Sequence, residues 1–238
     1  MTWLWRIFFS SLWLLPVWCA NLKGTVVLTD SRDPGVRRNK DFRGVVVWLS
    51  PAGGKAPLSA APHRFHMEQK DKHFIPHVMA VPVGAVVDFP NHDPIYHNVF
   101  SNYSGRIFDL SLYPPGTSRH QVFDRPGIVR IFCNIHPTMS AVIAVVDTPW
   151  FAVSDISGAF EIRDVPPGDY TLHIFHERAT DETLNALMQN VTVDRATPAA
   201  LQRITISETG YIPAPHKNKW NKDYPPVSED QPAYRPGQ

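Results

Sequence analysis

The sequence predicts an all-β chain built as two β-sandwiches, and three observations carry that prediction. Proline accounts for 23 of 238 residues, about twice the usual share, and proline at that density interrupts helices and suits short strands joined by turns. Apolar runs rich in Val and Ile recur at short spacing, each bounded by Gly, Pro, Asn or Asp. Several of them alternate, so that Leu172 and Ile174 in Thr171-Leu172-His173-Ile174-Phe175 share one face of a strand.

Taken in order, the strands expected are Gly24–Leu28, Gly44–Leu49, Ala85–Phe89, Gly127–Phe132, Ala141–Val146, Gly168–Phe175 and Asn190–Val193. Ser31 to Arg43 reads as a polar turn. Only Asp181–Gln189 has helix-like composition, with Thr180 or Asp181 as its N-cap. From Tyr211 onward the chain is rich in Pro, Lys, Asn and Asp without apolar periodicity, and an extended or disordered surface segment is expected there.

The first twenty residues differ in kind. Arg6 is the only charge before Lys23, and Ile7 to Val17 is almost wholly apolar. A short basic start before an apolar run of roughly 7–15 residues has the form of a secretory signal. The run is too short for a span, which needs about 20 apolar residues. Cleavage after Ala20 removes Arg6 and leaves 22 basic against 22 acidic residues. A chain of zero formal charge gives no reason to expect a nucleic-acid partner. Cys19 departs as well, leaving Cys133 as the sole thiol in an oxidising compartment. Such a cysteine has no disulfide partner, and metal ligation or inert burial has to account for it.

Cys133-Asn134-Ile135-His136-Pro137-Thr138-Met139 lies between two predicted strands, so its three possible ligands sit at a strand end and on a short loop. A thiolate, an imidazole and a thioether are soft donors that favour copper over hard cations. Zinc is disfavoured, because Met is a poor zinc ligand. A second imidazole has to come from elsewhere, and His97 is the candidate. It follows the predicted strand at Val86–Phe89 and the turn-forming cluster Asn91-His92-Asp93-Pro94.

At these residues the chain resembles the cupredoxins, the small blue-copper proteins, and its Cys-x₂-His-x₂-Met loop is similar to amicyanin-type sites. His97-Asn98-Val99 resembles the first-histidine motif of that family. The resemblance implies one mononuclear type 1 site, cycling between Cu(I) and Cu(II), on His97, Cys133, His136 and Met139. It implies too that the Asn98 backbone N–H donates to the Cys133 sulfur. Phe108-Asp109-Leu110, Tyr113-Pro114 and Pro126-Gly127-Ile128-Val129 resemble a group of exported cupredoxin-like proteins often labelled methylamine utilization proteins.

Gly158-Ala159-Phe160-Glu161-Ile162 and the later Val165-Pro166-Pro167-Gly168-Asp169-Tyr170-Thr171-Leu172 look like the second half of a carboxypeptidase-regulatory-like, transthyretin-type sandwich. Lys23-Gly24-Thr25-Val26-Val27 and Gly44-Val45-Val46-Val47-Trp48-Leu49 match its first half. The expected organisation is a signal at 1–20 and a first half-sandwich plus linker at 21–62. A cupredoxin Greek-key domain at 63–147, a second half-sandwich at 148–206 and a Pro-rich tail at 207–238 follow. The copper domain is inserted in, or flanked by, the second sandwich.

The function implied is an exported, periplasmic, monomeric carrier of single electrons, serving a redox partner such as a cytochrome or dehydrogenase. His136, beside Ile135 and Pro137, is expected to be the exposed edge where electrons pass. Copper storage or delivery is the alternative, favoured by His63, His66, His73, His77 and His92 upstream and His216 in the tail. Enzymatic activity is not expected. Oxidases and nitrite reductases commonly wire their centres through His-Cys-His, whereas Phe132 and Asn134 flank Cys133. His176-Glu177 also lacks the second histidine of a His-Glu-x-x-His helix.

Overall fold

The computed structural model describes residues 19–57, 63–102, 106–194, 201–213 and 216–225. The predicted signal at 1–20 therefore falls almost wholly outside the described residues, as do the linker's last residues, 58–62. The chain is nearly all β, with 49% strand and 6% helix. Among the described residues no helix is long and apolar enough to cross a membrane.

Strands and helices are numbered in chain order, and the strands gather around two cores. In the first, β1 (Ala20–Thr29) lies between β14 (Ala159–Val165), antiparallel, and β17 (Ile204–Ser207), parallel. A second sheet runs β13 (Phe151–Val153), β2 (Val46–Pro51), β15 (Gly168–Phe175), β16 (Gln189–Val193). Leu22, Val26, Val47, Leu49, Ile162, Tyr170 and Leu172 fill the space between these sheets. Gly24 is where the Phe160 ring seats, and a Cβ there would overlap that ring. Strands from either end of the chain thus pair with each other.

The intervening chain builds the second core. A five-stranded sheet runs β6 (Val78–Pro82), β12 (Ser140–Val146), β11 (Gly127–Phe132), β8 (His97–Ser101), β9 (Phe108–Tyr113). A three-stranded sheet runs β10 (Ser118–Phe123), β7 (Ala85–Pro90), β3 (Arg64–His66), and β4 (Glu68–Lys70) pairs with β5 (His73–Ile75). Val87, Phe89, Val99, Tyr113, Phe123, Ile131 and Ile143 are buried together in this core.

A strand presents successive side chains to opposite faces, and the two cores meet through strands that are apolar on both. Val47 and Leu49 of β2 enter the first core, while Val46 joins Val78, Ala80, Val142 and Ala144 in a third apolar layer. Ala141, Ile143 and Val145 of β12 face the second core. Burying both faces explains why these runs read as continuous valine rather than as alternation.

Three expectations are corrected. The polar turn at 31–43 contains a helix, α1 (Pro34–Asn39), capped by Asp33, whose carboxylate accepts from the Val36 N–H. Pro34 suits the first turn, where no N–H is needed. The second helix, α2 (Asp181–Ala186), has Thr180 as its cap and is shorter than the run of 181–189 expected. Residues 216–225 of the tail are not a loose surface segment either, and 226–238 lie outside the described residues. Asn218 is buried and its side chain accepts from the N–H groups of Trp220 and Lys222, which closes a tight turn.

Candidate metal centre

Register brings the distant histidine to the cysteine. Phe132 of β11 pairs antiparallel with Phe100 of β8, so Cys133 follows opposite Val99, and His97, two residues from Val99 at the start of β8, shares its face. The loop after Cys133 closes on itself: the Cys133 N–H donates to the Met139 carbonyl at 3.2 Å, and the Met139 N–H donates to the His136 carbonyl at 3.1 Å. Cys133 and Met139 are fully buried in the second core. His97 is fully buried and His136 is 7% exposed.

The donor atoms converge. His97 Nδ1 is 3.1 Å from His136 Nδ1, and Cys133 Sγ is 3.9 Å from the first and 3.5 Å from the second. Metal bonds of about 2.0 Å to nitrogen and about 2.3 Å to sulfur would space such donors roughly 3.3–3.8 Å apart. Among the described residues these three form the one cluster of His, Cys, Asp and Glu with metal-binding spacing. His63, His66, His73, His77 and His92 form no second one: His77 reaches the Glu177 carboxylate at 2.9 Å and His66 lies 3.9 Å from that of Asp88.

Protonation explains why a cation fits. His97 Nε2 donates to Asp93 Oδ2 at 2.7 Å, which leaves Nδ1 of the neutral ring as a lone pair. That lone pair points at His136 Nδ1, while His136 Nε2 is buried without a partner. Either both Nδ1 lone pairs oppose each other, or His136 places its one proton between them and strands Nε2 as an acceptor. A buried polar atom left unpaired is costly. A metal ion between the rings and the thiol would satisfy both lone pairs.

Charge in the site follows from burial. Desolvation lowers the pKa of His97 despite Asp93, and lowers that of His136 to about 4, with the His97 ring adding to the effect. Both rings are therefore neutral and free to ligate. Burial raises the Cys133 pKa, against the backbone N–H groups of Ile135, Asn98 and His136. The metal-free thiol thus keeps its proton. Burial also works to raise Asp93, but the N–H groups of Lys72 and Asp71 and the His97 ring outweigh it and hold the carboxyl below its usual value.

The sequence pattern marks the turn that holds Asp93 but does not mark Asp93 as a site residue. A carboxylate four residues before the candidate histidine was the available signal. Asn98 is buried, accepting the Asn134 N–H at 3.3 Å and donating to Asp109 at 2.7 Å. The exposed edge expected at His136 is not present. The tail covers that loop, with His216 stacked on Phe132 at 4.1 Å between ring centroids.

No protein-family model matches the chain. Over 56 residues it is 39% identical to the methylamine utilization protein MauL of Methylorubrum extorquens, a stretch covering 23% of this chain and 49% of that protein. The chain thus spans about half the length of this curated relative. Among solved structures, similarity is found to a purple cupredoxin of Nitrosopumilus maritimus, with TM-score 0.31 and 21% identity over 35% of this chain and 99% of that one. A Cu(I) amicyanin mutant aligns with TM-score 0.34 and 15% identity over 42% of this chain and 98% of its own. The copper nitrite reductase of Thermus scotoductus aligns with TM-score 0.34 and 24% identity, over 51% of this chain and 28% of that enzyme.

Proposed function

We propose that this chain is an exported type 1 copper protein that carries single electrons between periplasmic redox partners and catalyses no reaction itself. One observation supports it above the others: two neutral imidazoles and a thiol, all buried, aim their donor atoms at a common point. His97, Cys133 and His136 would hold the ion, with Met139 as the fourth, weaker ligand. Copper in such a set supplies a one-electron couple.

The chain's own residues do the rest. Asp93 fixes His97 in the tautomer with Nδ1 free, the carboxylate–histidine arrangement that orients metal ligands. Asn98 ties the first-histidine strand to the cysteine loop through the Asn134 N–H. Cys133 gives up its proton when the ion binds, and the N–H groups directed at its sulfur then stabilise the thiolate. The strand end and loop hold His97, Cys133 and His136 together without an ion, so binding one would require little rearrangement of the chain.

The same reading covers the organisation of the chain. Residues 1–20 act as an export signal, 63–147 form the copper domain, and 21–62 with 148–206 form one split transthyretin-type sandwich. The pairings of β1 with β14 and of β2 with β15 support the split. Nicking the 51–62 linker tests it: the fragments before and after the copper domain stay associated, and their dissociation would refute it.

The functional test is an absorption spectrum of the exported protein with Cu(II). An intense visible thiolate-to-copper band, bleached by a reductant and restored by an oxidant at one reproducible potential, is expected. Storage or delivery predicts instead ready loss of copper to a chelator. The near-complete burial of all three donors favours the carrier.

A further inference from the structure

The tail makes contacts with the ligand loop that the function above does not use. The Tyr224 hydroxyl donates to the Cys133 carbonyl at 2.8 Å, and His216 Nε2 donates to the Pro137 carbonyl at 2.7 Å. The Tyr224 hydroxyl also lies 3.2 Å from His216 Nδ1, so the two side chains brace each other. His216 stacks on Phe132, the residue before Cys133, with ring planes 24° apart. Between these contacts the Lys219 N–H donates to Asn134 Oδ1 at 3.0 Å, and Lys219 Nζ donates to Asp109 Oδ2 at 2.7 Å.

Those last bonds complete a ring. Asn98 Nδ2 donates to Asp109, the Asn134 N–H donates to Asn98, and Lys219 joins Asn134 back to Asp109. Strand β8, the ligand loop, strand β9 and the tail are thereby linked in one closed circuit. Cys133, Ile135 and Met139 anchor one side of this loop in the second core, while its backbone on the other side meets the tail. Hydrogen bonds at its first residue, its second and its fifth restrain that other side.

We propose that residues 216–224 are a third wall of the metal centre, in which His216, Lys219 and Tyr224 are positioning residues for the Cys133–Met139 loop. The segment holds the loop in its ligating shape before metal arrives and shields the Cys133 thiol from solvent. Only the consequence for bound copper rests on the proposed function. The clamp itself is a property of the metal-free protein, and that is where it is tested.

The experiment follows the rate at which a disulfide reagent modifies Cys133 in the metal-free chain, in a Cys19→Ser background so that one thiol reports. Tyr224→Phe keeps the ring and removes the donor, and it is expected to raise the rate about fivefold, the factor that one lost hydrogen bond corresponds to. His216→Ala raises it similarly, and His216→Gln, which can still donate to the Pro137 carbonyl, restores much of the protection. A chain ending at Gly210 shows the largest increase. Thermal melting of Tyr224→Phe stays close to that of the parent, which separates loosening of the loop from unfolding. In the copper-loaded protein the same variants lose copper to a chelator faster and shift the visible band.

Equal modification rates in parent, Tyr224→Phe and truncated chain would overturn the clamp, even where the parent binds copper normally. A parent that binds no copper yet shows tail-dependent protection would refute the copper reading and leave the clamp standing.

Discussion

Each half of the molecule buries a histidine against a carboxylate, and the two arrangements differ in one respect. In the flanking sandwich His176 Nε2 donates to Glu208 Oε1 at 2.9 Å, and Arg178 and Ser31 donate to the same carboxylate. In the second core His97 Nε2 donates to Asp93 at 2.7 Å, but its other nitrogen faces a second imidazole and a thiol. In the first cluster donors and a positive charge satisfy the carboxylate, and His176 Nδ1 alone is buried without a partner. The second brings two neutral imidazoles and a thiol to one point with no charged group among them. A buried polar group that finds opposite charge holds a fold together, whereas one that finds only its own kind marks a place for a cation.

Substitution separates the two clusters most sharply. Cys133→Ser should abolish the visible copper band outright while leaving the fold intact by circular dichroism. Glu208→Ala should do the reverse, costing about 3–5 kcal/mol of unfolding free energy, as removal of one partner from a buried pair does, with the copper spectrum unchanged. A copper band lost in the Glu208 variant at temperatures where it is folded would merge the two clusters into one.

A finer division runs inside the metal cluster. Asp93→Asn should weaken copper binding about 10–100-fold, the usual cost of losing a partner that orients a ligand, measured by competition with a chelator. Arg178→Gln, acting on the other carboxylate, should leave copper affinity unaltered.

The smallest effect joins the halves. His77 Nε2 lies 2.9 Å from Glu177, across the junction between the two cores. The hydrogen bond to Glu177 raises the pKa of His77, and although burial opposes carboxylate ionisation, His77 lowers that of Glu177. A raised imidazole pKa gives stability that is fully present below the ordinary value of 6.5 and fades as pH rises through the folded value. Denaturant unfolding should therefore show a modest loss of stability from mildly acidic to alkaline pH that His77→Gln lacks. The His77 ring is half exposed, so the difference should stay small.

Legibility divided along similar lines. Cys133, His136 and Met139 were readable because their spacing is local, and the Val-rich strands β2, β11 and β12 were readable because their burial is dense. Strand β10 was not, because four of the six residues of Ser118–Phe123 are polar, and β9 was not, because its apolar Phe108, Leu110 and Leu112 are only half-buried or exposed. Helix α1 was hidden by Pro34-Gly35, which reads as a turn unless Asp33 is recognised as its cap. The tail was the largest miss. Its contacts run through carbonyls, amides and polar side chains to a loop some eighty residues away, and hydrophobic patterning carries no trace of such bonds.

Two imidazoles and the single buried thiol, Cys133, should bind one copper. X-ray absorption on the Cu(II)-loaded chain addresses it directly. The account predicts a first shell of two imidazole nitrogens and one short sulfur, with the sulfur lost in Cys133→Ser. A shell of oxygen and nitrogen alone, unchanged by that substitution, would contradict it.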